Sequence, residues 1–281
     1  DWLNQRNDTF GNFIPLGDKD NKNNKQTFFV PHYSNGLKTQ RDAWCYNASM
    51  AKLTDNVKHT IAFYNSLVHS KKEERPLPPV SSRDINMTRA FQNDLAKERE
   101  KIFHQNSIFT SIYRPFTKMN CYFHPSLNEM VYKIPSIFPT NETKNLMICV
   151  NGIGDRKGFS TTISKYITDI QLLENGQCFP LYYYEKRSVY QPTLFDGDDN
   201  AQYTRKDGIT NFILERCREN YGPKVTKEDV FYYVYGLLHS PDYRKTFAAD
   251  LKKMLPRLPL VEKPVDFWSF SKAGRSLADL H

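Results

Sequence analysis

The stretch closest to a nucleotide-binding loop is Asn151-Gly-Ile-Gly-Asp-Arg-Lys-Gly158, which follows the β-type run Leu146-Met-Ile-Cys-Val150. Its glycines are one residue off the G-x-G-x-x-G spacing and no strong helix follows, so the dinucleotide reading is weak. No Gly-Lys dipeptide occurs anywhere in the chain, which excludes a P-loop. A tight turn carrying Arg156 and Lys157 accounts for the stretch. Glycine amides beside two cations are also a cradle for a DNA phosphate. Carboxylates come next. Asp242 followed by Asp250-Leu-Lys252 matches, on paper, the acidic pattern of metal-dependent nucleases, and Glu142-Thr-Lys144 after Pro139 is a weaker match. The first pattern falls in a segment of helical period opened by Pro241, where Asp242 suits a helix N-terminus and Lys252 and Lys253 its end. The seven His residues form no HxH or HxxxH pair, and a lone His239 before Ser240-Pro241 suits a helix end. There is no G-x-S-x-G elbow, and Leu77-Pro78-Pro79-Val80 lacks the flanking residues of an amino-methyltransferase motif. The five cysteines are scattered, without zinc spacing.

Basic and aromatic residues on turns remain. Lys38 and Arg41 lie on the turn Asn35-Gly-Leu-Lys-Thr-Gln-Arg-Asp-Ala-Trp44, and Tyr113, Arg114 and Lys118 end a strand in Ile112-Tyr-Arg-Pro-Phe-Thr-Lys118. Pro115 forbids regular helix after Arg114, so that side chain sits at an extended strand end. Arg and Lys so placed reach phosphates or a guanine edge, where a bidentate Arg discriminates by about 1–3 kcal/mol. Equally, Tyr113 and Phe116 are core residues and Arg114 pairs with an acid. The residue types favour neither reading.

The elements that must carry these side chains follow from periodicity. Residues 27–30 and 41–47 read as short strands, and 50–69 as an amphipathic helix. The charged run 71–75 and Pro76, Pro78 and Pro79 form a seam and the main expected boundary. A helix over 87–103, capped from Ser81-Ser82, precedes the β-type runs 108–113, 121–123, 146–150 and 178–184, with a polar tract over 191–207. Helices are expected over 209–221, from Thr226-x-x-Asp229 to Leu238, from Ser240-Pro241 to Leu255, and over 265–281. The order implies an α+β fold, with a β-rich mixed-sheet middle and a helical C-terminal third.

The 281 residues carry 39 Lys and Arg against 31 Asp and Glu, a net charge of +8. Residues 1–140 hold most of the excess, with 19 basic and 13 acidic side chains. That permits a polyanionic partner, although a plain basic domain fits equally. Aromatic content of 14% argues against disorder, and no apolar run approaches the roughly 20 residues of a membrane span. Reduced, scattered thiols suit the cytoplasm. The chain opens Asp1-Trp2-Leu3 without a Met, as a piece of a longer protein would.

Several ordered motifs resemble one family. They are Asp1-Trp-Leu-Asn-Gln-Arg6, Phe13-Ile-Pro-Leu-Gly-Asp18, Ser34-Asn-Gly-Leu-Lys-Thr39 with Arg41-Asp-Ala-Trp44, and Ser111-Ile-Tyr-Arg-Pro-Phe116. Further along stand Asn175-Gly-Gln-Cys-Phe-Pro-Leu-Tyr-Tyr-Tyr184, Asp207-Gly-Ile-Thr-Asn211 and Tyr235-Gly-Leu-Leu-His-Ser-Pro-Asp-Tyr-Arg244. Leu255-Pro-Arg-Leu-Pro259 and Gly274-Arg-Ser-Leu-Ala-Asp-Leu-His281 complete the set. Together they resemble the C-terminal region of type ISP restriction–modification enzymes, nearly end to end. That resemblance implies a polypeptide with nuclease, helicase-type ATPase, helical coupler and N6-adenine methyltransferase domains upstream of residue 1, and a chain that continues past His281. It implies that residues 1–75 are the tail of the methyltransferase-like domain and 81–281 the target-recognition domain. This fragment would then carry no catalytic residue, metal or cofactor, while S-adenosylmethionine, ATP and magnesium serve the parent. Its partners would be double-stranded DNA and the upstream domains. The DNA contacts expected are Lys38, Arg41, Tyr113, Arg114, Lys118, Arg156 and Lys157. The competing expectations are a catalytic fragment, nuclease or divergent methyltransferase, and a coupling module that touches DNA without sequence preference.

Overall fold

The structure, a computed structural model, describes residues 7–21, 23–154, 158–187 and 202–281. The described residues are α+β, as the element order implies, and the chain divides into two compact units. One comprises residues 1–35, 133–166 and 170–281; the other comprises 36–132 with 167–169. Among the described residues no helix is long and apolar enough to cross a membrane.

The first unit is built on an antiparallel sheet in the order Ser34–Asn35, Gln177–Pro180, Met147–Val150, Thr161–Ser164. All four residues of Met147–Val150 and of Gln177–Pro180 are buried, as suits strands covered on both faces. The expected strand 178–184 is two strands. Its continuation, Tyr182–Lys186, leaves the sheet beyond Leu181 and pairs instead with Tyr203–Asp207 as a two-stranded ribbon. The expected strand 27–30 is only an antiparallel bridge between Phe29 and Ile209.

The helical third follows the cap signals closely. Thr210 caps Asn211–Tyr221 by accepting from the Ile213 amide, and Thr226 with Asp229 forms a full capping box for Lys227–Leu238. Val230 to Leu238 are all buried, the pattern of a helix enclosed on every side. This helix packs against Pro264–Leu280 at two glycines. A Cβ on Gly236 would lie 2.2 Å from the Phe270 carbonyl oxygen, and one on Gly274 2.0 Å from that of Tyr232. The expected helix from Ser240 to Leu255 breaks at Phe247 into Pro241–Thr246 and Ala248–Leu251.

The second unit sets the helix Met50–Lys72 against a four-stranded sheet ordered Tyr46–Asn47, Thr117–Tyr122, Ile108–Arg114, Ile167–Thr168. Ile108–Arg114 pairs antiparallel with Thr117–Tyr122 and parallel with Ile167–Thr168. Leu53, Val57, Ile61, Tyr64 and Val68 share a core with Ile85, Phe91, Ile108, Tyr122 and Leu127. The seam at 71–80 therefore lies inside one compact unit. The helix expected over 87–103 is only Arg89–Ala96. Beyond it Glu98 takes a positive φ of 55°, and the Asn65 side chain captures the Lys101 amide at 2.9 Å, which holds the chain off the helical path. Residues 41–47 are not one strand either; Asp42–Cys45 makes a helical turn before Tyr46–Asn47.

Candidate nucleic-acid interface

Arg41 overturns its expected role. It is 1% exposed, with its guanidinium 3.5 Å above the Phe91 ring. Nη1 donates to the Thr39 and Leu127 carbonyls at 3.1 and 2.9 Å, and Nη2 donates to Thr88 Oγ1 at 2.6 Å. Glu129 lies 3.5 Å from Nη2 and also accepts from the Thr88 hydroxyl. A cation enclosed by carbonyls, an aromatic face and a carboxylate ties the turn to the core; it is no surface contact. Lys38, three residues earlier, is half-buried, and its backbone pairs with Met130.

The hairpin Ile108–Tyr122 carries the next group. Arg114 Nη1 lies 2.7 Å from Asp169 Oδ1 and Nη2 3.5 Å from Asp42 Oδ2, with the guanidinium 3.9 Å above the Tyr113 ring. Tyr113 donates to Asp42 Oδ2 at 3.1 Å, and its ring meets Tyr46 at 4.6 Å. Tyr46 in turn donates to Asp169 Oδ2 at 3.3 Å. Burial raises the pKa of both tyrosines, with Asp42 reinforcing the rise at Tyr113 and Asp169 at Tyr46, so both are donors at neutral pH. Arg114 thus pairs with acids, as one of its two readings held. Its side chain is still 38% exposed while Asp169 is almost fully buried, so Nη1 anchors the fork and Nη2 is held more loosely by Asp42. Lys118 is exposed on the returning strand, opposite Ile112.

Phe116 contradicts its core reading. It is 100% exposed at the hairpin tip, with φ at +61°. Pro115 holds φ near −65° at the first corner of this two-residue connection, so the positive φ falls on the second. Left-handed backbone costs a bulky residue about 1–2 kcal/mol, and full exposure forgoes about 1.5–3 kcal/mol of burial.

In the first unit, two of the three glycines of the 151–158 turn are already engaged. The Gly152 amide donates to Glu174 O and the Gly154 amide to Lys252 O, both at 3.0 Å, so neither is open to a phosphate. Arg156 and Lys157 lie outside the described residues. The ribbon Tyr182–Lys186/Tyr203–Asp207 offers cations that the sequence reading missed. Lys186, Arg187, Arg205 and Lys206 are exposed on it. Tyr183 stacks on His32 at 3.9 Å, and Arg205 lies 4.3 Å above Tyr182, whose hydroxyl donates to Glu228 at 3.0 Å. Burial, helped by Glu228, pushes the Tyr182 hydroxyl up to about 12. The β-prone pair Tyr203-Thr204 beside Arg205 and Lys206 was the available signal, hidden at the end of a polar tract.

The nuclease-like pattern dissolves. Asp242 occupies a helical first turn capped by Ser240, and Asp250 is 1% exposed, accepting from the Asn7 amide at 3.1 Å. Among the described residues, no three His, Cys, Asp or Glu side chains are grouped so as to hold a metal.

A family model described as the Type ISP C-terminal specificity domain matches residues 28–281. The comparison with curated proteins gives no match. Among solved structures, a nuclease-deletion mutant of the Type ISP restriction-modification enzyme LlaGI, in complex with a DNA substrate mimic, is similar at 34% identity and a TM-score of 0.79. The ATP-dependent Type ISP enzyme LlaBIII, bound to DNA, follows at 31% and 0.82, and the DrdV–DNA complex at 30% and 0.83. Each similarity covers all of this chain, but only 24%, 17% and 26% of the respective relatives.

Proposed function

We propose, because this chain belongs to the Type ISP C-terminal specificity domain family, that it is the part of a restriction–modification polypeptide that reads the target sequence in duplex DNA. The observation that carries the proposal is the extent of the match. Residues 28–281 fit the specificity domain, and the entire chain is similar to segments of enzymes whose structures were determined with DNA. The chain spans about a quarter or less of two of those relatives and slightly more of the third. The rest of the parent is therefore part of the proposal. In it, upstream domains carry out adenine methylation and ATP-dependent cleavage with S-adenosylmethionine, ATP and magnesium, in the cytoplasm. This chain supplies recognition and no catalysis.

Contacts are proposed on each unit separately. In the second unit, Lys38 and Lys118 meet phosphates, and Arg114, oriented by Asp169 and Asp42 with Tyr113 beneath it, turns the exposed part of its guanidinium to a base, exchanging the looser Asp42 contact for it. In the first, the exposed cations of the Tyr182–Lys186/Tyr203–Asp207 ribbon follow a groove, with Arg156 and Lys157 as further phosphate contacts. The assignment of 1–75 to a methyltransferase tail and 81–281 to the specificity domain concerns parentage. The match from residue 28, and the core shared by 50–72 with 85–127, favour moving that boundary toward the N-terminus. The test is selection of a randomised duplex pool on the chain, followed by sequencing. Enrichment of one short site supports recognition; binding without enrichment rejects it.

A further inference from the structure

We propose that Phe116 is a wedge, inserted between neighbouring bases of the duplex from the tip of the Ile108–Tyr122 hairpin; this rests on the DNA-reading function above. Four observations carry it. Phe116 is the one large hydrophobic residue of the described chain with its full surface in solvent, and it stands at the end of a hairpin. Its φ of +61° is a conformation a turn ordinarily fills with Gly or Asn, so neither packing nor backbone geometry favours Phe there.

The hairpin is held firmly just below its tip. Arg114, directly before the turn, is tied to Asp169 at 2.7 Å and Asp42 at 3.5 Å, and the strand continues into a sheet with partners on both sides. A wedge needs such backing, since a mobile tip would fold back instead of parting a base step. The surroundings suit a polyanion. The unit carries 14 Lys and Arg against 10 Asp and Glu, and Thr117 and Lys118, next to the tip, are exposed toward the same solvent. Apolar side chains inserted from cationic surfaces part base steps and kink the duplex, which makes flexible pyrimidine–purine steps the cheapest place to enter. Phe116 would then add selectivity at a step that no hydrogen bond reads.

Three variants test this on a duplex recovered from the random pool. Phe116→Ala is expected to weaken binding about ten-fold or more, as loss of a base–aromatic stack does, with an unchanged salt slope because no phosphate contact is lost. Phe116→Gly is expected to lose affinity equally while raising Tm by about 2 °C, since it relieves the backbone. Phe116→Trp is expected to retain binding and to show tryptophan quenching on DNA that the unaltered chain lacks. Unchanged affinity in Phe116→Ala, or no added quenching in a Phe116→Trp that still binds, overturns the wedge and leaves recognition standing. A failure of the unaltered chain to bind any duplex overturns both.

Discussion

At the scale of single residues, a side chain's role turns on whether it is buried, and residue type alone does not decide that. Arg41 and Arg114 both stand at chain turns beside aromatics, and both read as cations for DNA. Apart from Thr39, the partners that enclose Arg41 are Thr88, Phe91, Leu127 and Glu129, which lie 47 or more residues away and which no local pattern reveals. Arg41→Ala is therefore expected to destabilise the chain by about 3–5 kcal/mol, the penalty for breaking a buried ion pair, and denaturant unfolding measures it. A wild-type midpoint in that variant would return Arg41 to the surface. Phe116 was illegible for the opposite reason, since aromatics default to the core. His239 was read correctly as a helix end, and it also gives a pH dependence. Its Nδ1 accepts from Arg244 Nη2 at 3.2 Å, and burial, with Arg244 and His281 nearby, pushes its pKa down to about 4. Below pH 6.5 the unfolded chain therefore takes a proton that the folded chain refuses until about pH 4. The stability from the neutral ring is whole above pH 6.5 and is lost as the pH falls toward 4. Burial lowers His32 and His124 as well, so all three act in the same direction. Thermal melts from pH 7.5 to 4 should show a falling Tm, less steep in His239→Gln; an equal slope in both would contradict this.

At the scale of elements, the ends of helices were the most legible feature, because capping is local chemistry. Thr226 and Ser240, read as caps, accept hydrogen bonds from backbone amides of the helices they precede. Ser81-Ser82 do not cap a helix; they lie in a turn, and Arg89–Ala96 starts after Thr88 without a side-chain cap bond. Strands of two to four residues were harder, because their existence depends on partners far along the chain. Ile14–Pro15 pairs with Arg257–Leu258, and Ser34–Asn35 pairs with Gln177 and Cys178. The crossing of Lys227–Leu238 and Pro264–Leu280 was also invisible in sequence, since nothing marks Gly236 and Gly274 as facing each other's backbones. Gly274→Ala gains about 1 kcal/mol of helix propensity but sets a methyl group 2.0 Å from the Tyr232 carbonyl oxygen. Overpacking against backbone wins, for an expected net loss of about 2 kcal/mol in equilibrium unfolding. Gly236→Ala strains the same crossing, so the double variant should lose less than the sum of the two. A stabilised Gly274→Ala would mean that the helices do not approach so closely.

At the scale of the whole molecule, charge and composition permitted a polyanionic partner without requiring one, and duplex DNA as that partner is what the resemblance of the ordered motifs implied. Phosphate contacts give affinity that falls with salt, and a coupling module would show that behaviour as well. Recognition differs in that it survives when the phosphates are held constant and only the bases change. The decisive measurement is the affinity ratio between the selected duplex and a scrambled duplex of equal length and composition, at about 150 mM salt. The account predicts at least about 10³-fold tighter binding to the selected duplex, with each central base-pair change losing about 1–3 kcal/mol. Equal affinity for the two duplexes, falling together as salt rises, would contradict it and leave only non-specific contact.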